Sequence, residues 1–203
     1  MRASLVLVSL VLLAGCRRDT GAVCSGYDPA RGNCYDTSLD LDDARVMALD
    51  GAALPAGASP CHAPVLARIT NVRDGDTLDV IGVSDPSFEG GVRLIGVNAP
   101  EIAHPPEVAE CFGNEAQVFT QQLDERLVWL TFDGGCFDPY DRWLAYVHVG
   151  SGTGDLWQRQ LLRRGFARTL AIPPNESFAA SFEEDASAAA AGARGLWSAC
   201  AAP

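Results

Sequence analysis

The stretch Val65-Leu66-Ala67-Arg68-Ile69-Thr70-Asn71-Val72-Arg73-Asp74-Gly75-Asp76-Thr77-Leu78-Asp79-Val80-Ile81-Gly82-Val83 sets the architecture. Its first eight residues alternate, with Val65, Ala67 and Ile69 on one face and Leu66, Arg68 and Thr70 on the other, the pattern of a half-buried strand. Asp74-Gly75 predicts a tight turn, and Leu78 to Val83 a second strand. Val92 to Val97 reads as a third. Between Cys111 and Leu127 the period changes: Ala116, Phe119, Leu123 and Leu127 recur at helical spacing. Val128 to Phe132 and Trp143 to Val149 return to strand. Leu156 to Arg164 predicts a helix, with Arg163 and Arg164 in its last turn and Gly165 as a stop. Asn175 is the expected N-cap of a last helix, with Phe178, Phe182, Ala186 and Ala189 as its apolar stripe. Three strands, a helix, two strands and two helices make an α+β, mainly β chain. Five short strands without βαβ alternation suit a closed or nearly closed barrel.

Toward the N-terminus the regular pattern is lost. Residues 17 to 64 are rich in Gly, Pro, Ala and Asp and read as an extension rather than a self-sufficient domain. Asp36, Asp40, Asp42 and Asp43 fit no calcium-loop spacing and read as a solvated acidic face. Met1-Arg2 precedes an apolar run, Leu5 to Leu13, too short to span a bilayer. Leu13-Ala14-Gly15-Cys16 then resembles the lipobox of bacterial lipoproteins. That resemblance implies cleavage before Cys16, lipidation of Cys16, and an exported protein anchored in the cell envelope, periplasmic or at the cell surface. The expected organisation is a leader over 1–15, a Cys-containing extension over 16–64 and a folded domain over 65–203.

Composition narrows the function. Of 203 residues, 48 % are hydrophobic and 20 % charged, enough for a packed core. Fifteen basic residues, all Arg, face 26 acidic ones, for a net charge of −11. Such a chain is no general polycation, so work on a polyanion needs local Arg placement or a metal ion. Besides Cys16 there are six cysteines, at 24, 34, 61, 111, 136 and 200. An even count in an exported chain suggests disulfides, and the lack of a CxxC pair argues against a zinc site. The count alone leaves the connectivity open. Three of the six precede residue 62 and three follow, so full pairing requires a bridge between extension and domain. Cys111 opens the first predicted helix and Cys200 closes the folded region, which makes them the expected pair. Cys136 then reaches into the extension, most simply to Cys61.

The chemistry-bearing residues sit on turns. Asp74-Gly75-Asp76-Thr77 puts two carboxylates at a strand start. Arg93 lies on the third strand, and Asn98-Ala99-Pro100-Glu101 follows it directly. Asp138-Pro139-Tyr140-Asp141-Arg142 makes a further turn. Together they offer hard oxygen ligands, a free carboxylate and two guanidiniums. Calcium takes oxygen ligands and polarises phosphoryl oxygen, guanidinium forks match phosphate, and a carboxylate can take a proton from water.

The order and spacing of Asp74-Gly75-Asp76-Thr77, of Arg93-Leu94-Ile95-Gly96-Val97-Asn98-Ala99-Pro100-Glu101 and of Tyr140-Asp141-Arg142-Trp143-Leu144-Ala145-Tyr146 resemble the staphylococcal nuclease family. Gly113-Asn114-Glu115-Ala116, Leu161 through Ala167, and Gly195-Leu196-Trp197 extend the resemblance over residues 65 to 200. It implies a five-stranded OB-fold barrel with three packed helices. It also implies a calcium-dependent phosphodiesterase that cuts the P–O5′ bond of DNA and RNA and leaves 3′-phosphate ends. By the same resemblance Asp76 is a calcium carboxylate, Glu101 the general base, Arg93 and Arg142 the phosphate grip, and Tyr140 a substrate contact. Asn98 stands where the family has its second calcium carboxylate; its amide oxygen can ligate without charge, and Ala99 can offer its carbonyl. The expected partners are nucleic acid as substrate and the membrane through lipidated Cys16, with the chain a monomer and no protein partner. The domain from residue 65 carries a net −9, which predicts weak, salt-sensitive substrate binding. The alternative is a non-catalytic binding module of the envelope; retention of Asp76, Arg93, Glu101 and Arg142 together favours the enzyme.

Overall fold

A computed structural model describes residues 26–28, 33–35 and 39–200. The leader, Cys16 and Asp36 lie outside the described residues. Two short paired strands, β1 (Gly26–Asp28) and β2 (Asn33–Tyr35), and a short helix, α1 (Asp43–Met47), come first. Then follow β3 (Val65–Val72), β4 (Thr77–Gly82), β5 (Glu89–Leu94), β6 (Gly96–Asn98), α2 (Gly113–Thr120), β7 (Leu127–Thr131) and β8 (Trp143–His148). The chain continues through α3 (Trp157–Arg164), β9 (Arg168–Leu170), α4 (Ala179–Ala191) and α5 (Leu196–Ala199). Strands β3-β4-β5-β8-β7 close into a barrel. Every neighbouring pair is antiparallel except β5 with β8.

Alternation decides the barrel. Ala67 and Ile69 of β3, Leu78 and Val80 of β4, Val92 and Leu94 of β5, Val128 and Leu130 of β7, and Ala145 and Val147 of β8 are all buried. The helical stripe of α2 and the turn after it, Ala116, Phe119 and Leu123, is buried too. Phe119 stacks between Trp157 of α3, at 4.9 Å, and Phe166, at 4.6 Å. Helix α3 ends at Gly165 in the left-handed region (φ 72°), as the sequence predicts. Helices α2, α3 and α4 are the three expected; α1 and α5 are additional short ones.

Three expected boundaries are corrected. The strand read over Val92 to Val97 breaks after Leu94. Gly96 turns the chain (φ 80°), and β6 leaves the barrel to pair with β9. A Cβ at Gly96 would lie 2.6 Å from the Phe182 ring, so packing of α4 as well as backbone angle requires glycine there. The helix read from Cys111 begins at Gly113, because Phe112 is left-handed (φ 75°). Asn175 does not cap α4, which starts at Ala179. Its amide instead accepts from Gly135 N–H at 2.7 Å and donates to Gly135 O at 3.1 Å, clamping one loop to another.

Residues 39–64 run along the outside of β7. Trp129 Nε1–H donates to Val46 O at 3.0 Å, Thr131 Oγ1–H to Pro55 O at 2.8 Å, and Cys61 N–H to Asp133 O at 2.7 Å. The acidic residues described there have structural partners. Asp42 caps α1 through Ala44 N–H and pairs with Arg45, as does Asp40, while Asp43 accepts from Leu127 N–H. Both expected bridges are formed: Cys61–Cys136 and Cys111–Cys200, with Cα–Cα distances of 5.7 and 5.8 Å.

His148 is buried beside this strap. Thr131 Oγ1 gives its proton to Pro55 O and therefore accepts from His148 Nε2–H at 2.9 Å, which leaves the Nδ1 lone pair buried without a hydrogen-bond donor among the described residues. Burial lowers its pKa to about 4, against the smaller opposing pull of Pro55 O and Asp155. The native state thus holds His148 neutral while the unfolded chain protonates it below about 6.5. Stability is expected to be complete above that pH and to fall by about 3 kcal/mol as pH drops toward 4. Urea midpoints across this range should lose much of their slope in His148→Gln; an unchanged slope would refute the assignment.

Candidate active site

One cleft of about 430 Å³ opens at the barrel wall where β4, β5 and β8 meet the loops beyond them. Its lining includes Asp76, Arg93, Asn98, Glu101, Tyr140 and Arg142, so six of the seven site residues expected in the folded domain share one cavity. The seventh, Ala99, is buried beside it and acts through its backbone: Ala99 N–H donates to Asp76 Oδ2 at 2.6 Å.

The Asp-Gly turn builds the first wall. Asp74 Oδ1 accepts from Asp76 N–H at 2.9 Å, the structural role its turn position predicts. A Cβ on Gly75 would come within 2.5 Å of Ala99 and 2.9 Å of Ala116, so this turn is held tight between the Asn98–Glu101 segment and α2. Asp76 is thereby buried at the start of β4. Burial pushes its carboxyl up to about 7; Arg93 and the Ala99 N–H oppose the rise, while the charges of Asp74 and Glu101 add to it.

Arg93 projects from β5 across the foot of the cleft. Its Nη1 donates to Leu94 O and Val97 O, both at 2.8 Å, and its Nη2 lies 3.0 Å from Asn98 Oδ1 and 3.1 Å from Asp76 Oδ2. The guanidinium thus braces the β5–β6 turn and bridges the two oxygen donors. Glu101 is exposed at the rim. Its backbone is fixed by Glu110, whose Oε2 accepts from Glu101 N–H at 3.1 Å and whose N–H donates to Glu101 O at 2.9 Å.

Arg142 enters from the turn before β8. Its Nε and Nη2 both lie 2.7 Å from Asp138 Oδ2, and the other oxygen of Asp138 accepts from the backbone N–H of Tyr140 and Arg142. Burial alone would raise the Asp138 pKa, but the Arg142 and Tyr140 bonds outweigh it and hold the carboxyl below its ordinary value. Arg142 Nη1 also reaches Thr77 Oγ1 at 3.3 Å, and that hydroxyl donates to Asp76 Oδ1 at 3.2 Å. Asp138 thus fixes Arg142 and Thr77 links it to Asp76, roles the sequence reading did not assign to either. The signal for Asp138 was present, as an acid four residues before an Arg across a Pro-containing turn.

The donor set suits a hard cation in kind: a carboxylate from Asp76, an amide oxygen from Asn98 and a carboxylate from Glu101 share the cleft. Asp76 in a pocket that disfavours its ionised form, with Asp74 and Glu101 deepening the negative field, is where added positive charge is most favourable. Among the described residues no group of three His, Cys, Asp or Glu converges to hold a metal.

A closed five-stranded barrel of this strand order, with paired guanidiniums and carboxylates in a cleft on its wall, defines an OB-fold protein equipped to bind an anionic ligand. A profile of the family described as "Staphylococcal nuclease homologue" matches residues 91–199. The thermonuclease of Staphylococcus intermedius is 33 % identical over 117 residues, 57 % of this chain and 66 % of that protein. The thermonuclease of Staphylococcus hyicus is 31 % identical over 132 residues, covering 64 % and 75 %. A protein named probable endonuclease LCL3, from Zygosaccharomyces rouxii, is 35 % identical over 124 residues but only 40 % of its length is covered. The chain belongs to the staphylococcal nuclease family.

Proposed function

We propose that this chain is a calcium-dependent nuclease that hydrolyses phosphodiester bonds of DNA and RNA and leaves 3′-phosphate ends. The observation that carries the reading is the convergence of Asp76, Asn98, Glu101, Arg93 and Arg142 on one cleft from four separate turns and strands. Asp76, Asn98 and the Ala99 carbonyl would hold the calcium ion, which when bound polarises a phosphoryl oxygen and offsets developing charge. Glu101 takes a proton from a water whose oxygen attacks phosphorus on the side away from the 5′ oxygen. The P–O5′ bond breaks, and the 5′ oxygen leaves with a proton from solvent. Arg142, aimed by Asp138, presents its remaining N–H groups to the phosphate oxygens; Arg93 supplies positive charge from below. Tyr140 lines the approach and covers the Arg142 guanidinium, whose carbon lies 5.4 Å from its ring centre.

Asn98 contributes an oxygen without charge, so calcium should bind more weakly than a second carboxylate would allow. Purified protein with plasmid or single-stranded DNA, titrated with calcium and then chelator, tests the reading. Cleavage is expected to require calcium, and Asn98→Asp to lower the concentration for half-maximal activity. Cleavage that persists in chelator would refute calcium dependence. Binding without cleavage at any calcium level would leave the envelope binding module as the function.

We further propose that the chain is exported and held in a bacterial envelope by lipid on Cys16. With a domain of net −9 beside an anionic bilayer, repulsion would keep the cleft facing the aqueous phase. Cys16→Ser should abolish acylation and remove the mature membrane-bound form; an unaltered mass and distribution would exclude the anchor.

A further inference from the structure

The outer wall of the barrel carries a second cationic position just past the cleft. Val92 and Leu94 of β5 and Leu78 and Val80 of β4 are buried in the core, so Gly91 and Arg93 of β5 and Thr77 and Asp79 of β4 face outward. The register sets Arg93 opposite Thr77 and Gly91 opposite Asp79. The first pair lines the cleft, and the second lies beyond its edge. Arg73, directly after β3, leans over this second pair. Its N–H donates to Thr77 O at 3.0 Å, and its O accepts from Gln117 Nε2–H at 2.8 Å, so its backbone is fixed between β4 and α2.

The Arg73 side chain is aimed as Arg142 is. Its Nε and Nη2 donate to the two oxygens of Asp79 at 3.0 and 2.6 Å, and Asn71 Nδ2 steadies the same carboxylate at 3.0 Å. Asp138 holds Arg142 through the same two nitrogens. In each case the acid takes one edge of the fork. For Arg73 no acceptor among the described residues takes the Nη1 hydrogens, and 49 % of the side chain is exposed, so the other edge is open to a ligand. An exposed ion pair adds little to stability, so what this one achieves is direction. Gly91 lets the two arginines meet. A Cβ there would lie 3.3 Å from Arg142 Cγ and 3.5 Å from Arg73 Nη2, so both side chains share the space over this one residue. At Gly90 a Cβ would meet nothing within 4 Å, which leaves bare backbone beside them. Arg93, Arg142 and Arg73 thus follow one another along the outer face of β5.

We propose that Arg73, aimed by Asp79 across Gly91, forms a second phosphate subsite that takes the phosphate next to the one held by Arg142. The proposal rests on the nuclease reading for its substrate. A nucleic acid strand carries a charge at every residue, so a strand with one phosphate against Arg142 brings a neighbouring phosphate to the wall beside it. Guanidinium N–H groups suit phosphate oxygens. Such a contact reads the backbone and not the base, so the subsite favours longer strands over short fragments without selecting sequence.

The test uses fluorescence anisotropy in calcium with two labelled thymidine tetramers. In one every linkage is a charged phosphorothioate; in the other only the central linkage is charged and the rest are neutral methylphosphonates. The wild-type protein is expected to bind the fully charged tetramer more tightly and with the steeper salt dependence. Arg73→Gln should weaken that tetramer about 5-fold and lower its slope of log affinity against log salt by about 0.7, the value of one phosphate contact on a single strand. The singly charged tetramer, whose phosphate goes to Arg142, should move little. Arg73→Lys, which keeps the charge, should keep most of the slope. Equal weakening of both probes by Arg73→Gln would mean that Arg73 only supports Arg142, and overturns the subsite. So does a variant that changes neither probe, or a wild type that binds both equally or binds neither. A wild type that shows the Arg73-dependent difference but cuts no unmodified strand keeps the subsite and refutes the nuclease. One that cuts without that difference keeps the nuclease and refutes the subsite.

Discussion

Glu101→Gln is expected to lower kcat by about 10²–10⁴-fold, the usual contribution of a positioned general base. The two bonds that fix this residue to Glu110 are made by its backbone N–H and C=O, and the side chain sits exposed at the rim. Glutamine therefore keeps the loop and the size of the side chain and loses only the proton acceptor. Arg142→Lys should damage turnover by a different route. The guanidinium holds Asp138 through Nε and Nη2 while Nη1 reaches Thr77, three contacts from one planar fork. An ammonium keeps the charge but cannot hold Asp138 and also present two parallel donors to a phosphate. Single-turnover rates at saturating calcium measure both losses. Near-normal rates in both variants would remove Glu101 and Arg142 from the catalytic machinery.

Loss of the Cys111–Cys200 bridge should cost about 4–5 kcal/mol by the chain-entropy argument, since it closes a long loop. The bonded residues are 89 apart in sequence and join the chain just before α2 to the end of α5. Against a typical domain stability of about 5–15 kcal/mol, that is a large fraction. The double variant Cys111→Ser, Cys200→Ser is expected to unfold at markedly lower urea, and reductant should move the wild type the same way. A midpoint equal to that of the oxidised wild type would show that α2 and α5 are held by packing alone. The Cys61–Cys136 bridge, with a separation of 75, should matter comparably for stability. Its position next to Phe137 and Asp138 makes its loss the more harmful of the two for the cleft.

Much of the barrel was legible because each strand has one face in the core. Ala67 and Ile69, or Leu78 and Val80, betray their side of the sheet by alternation alone, and a two-residue period needs no knowledge of the partner strand. The Asp74-Gly75 and Gly165 turns were legible for a similar reason, since their conformations are local. The candidate site was legible as a set of residue types on turns: Asp76, Asn98, Glu101 and Arg142 all follow or precede a readable strand.

What escaped the sequence depends on neighbours far along the chain. Asn175 looks like a helix cap beside Pro174 and Ser177, but Gly135, forty residues away, offers both a donor and an acceptor that its amide satisfies at once. The strand that begins at Glu89 ends at Leu94 and the chain turns at Gly96, where Phe182 of α4 occupies the space a side chain would need. Arg93 reads as a phosphate ligand on a strand, yet only the fold reveals that it also binds Leu94 O, Val97 O, Asn98 and Asp76. By itself the sequence determined the period of each element, the turns that separate them and the chemical kit those turns carry. Tertiary structure alone decided that the kit meets in one cleft, that Thr77 connects Arg142 to Asp76, and that Phe137 stands exposed beside them. The physical reason is range: propensity and alternation act over a few residues, whereas burial, ion pairing and shared hydrogen bonds exist only once closure of the barrel brings β4, β5 and β8 together.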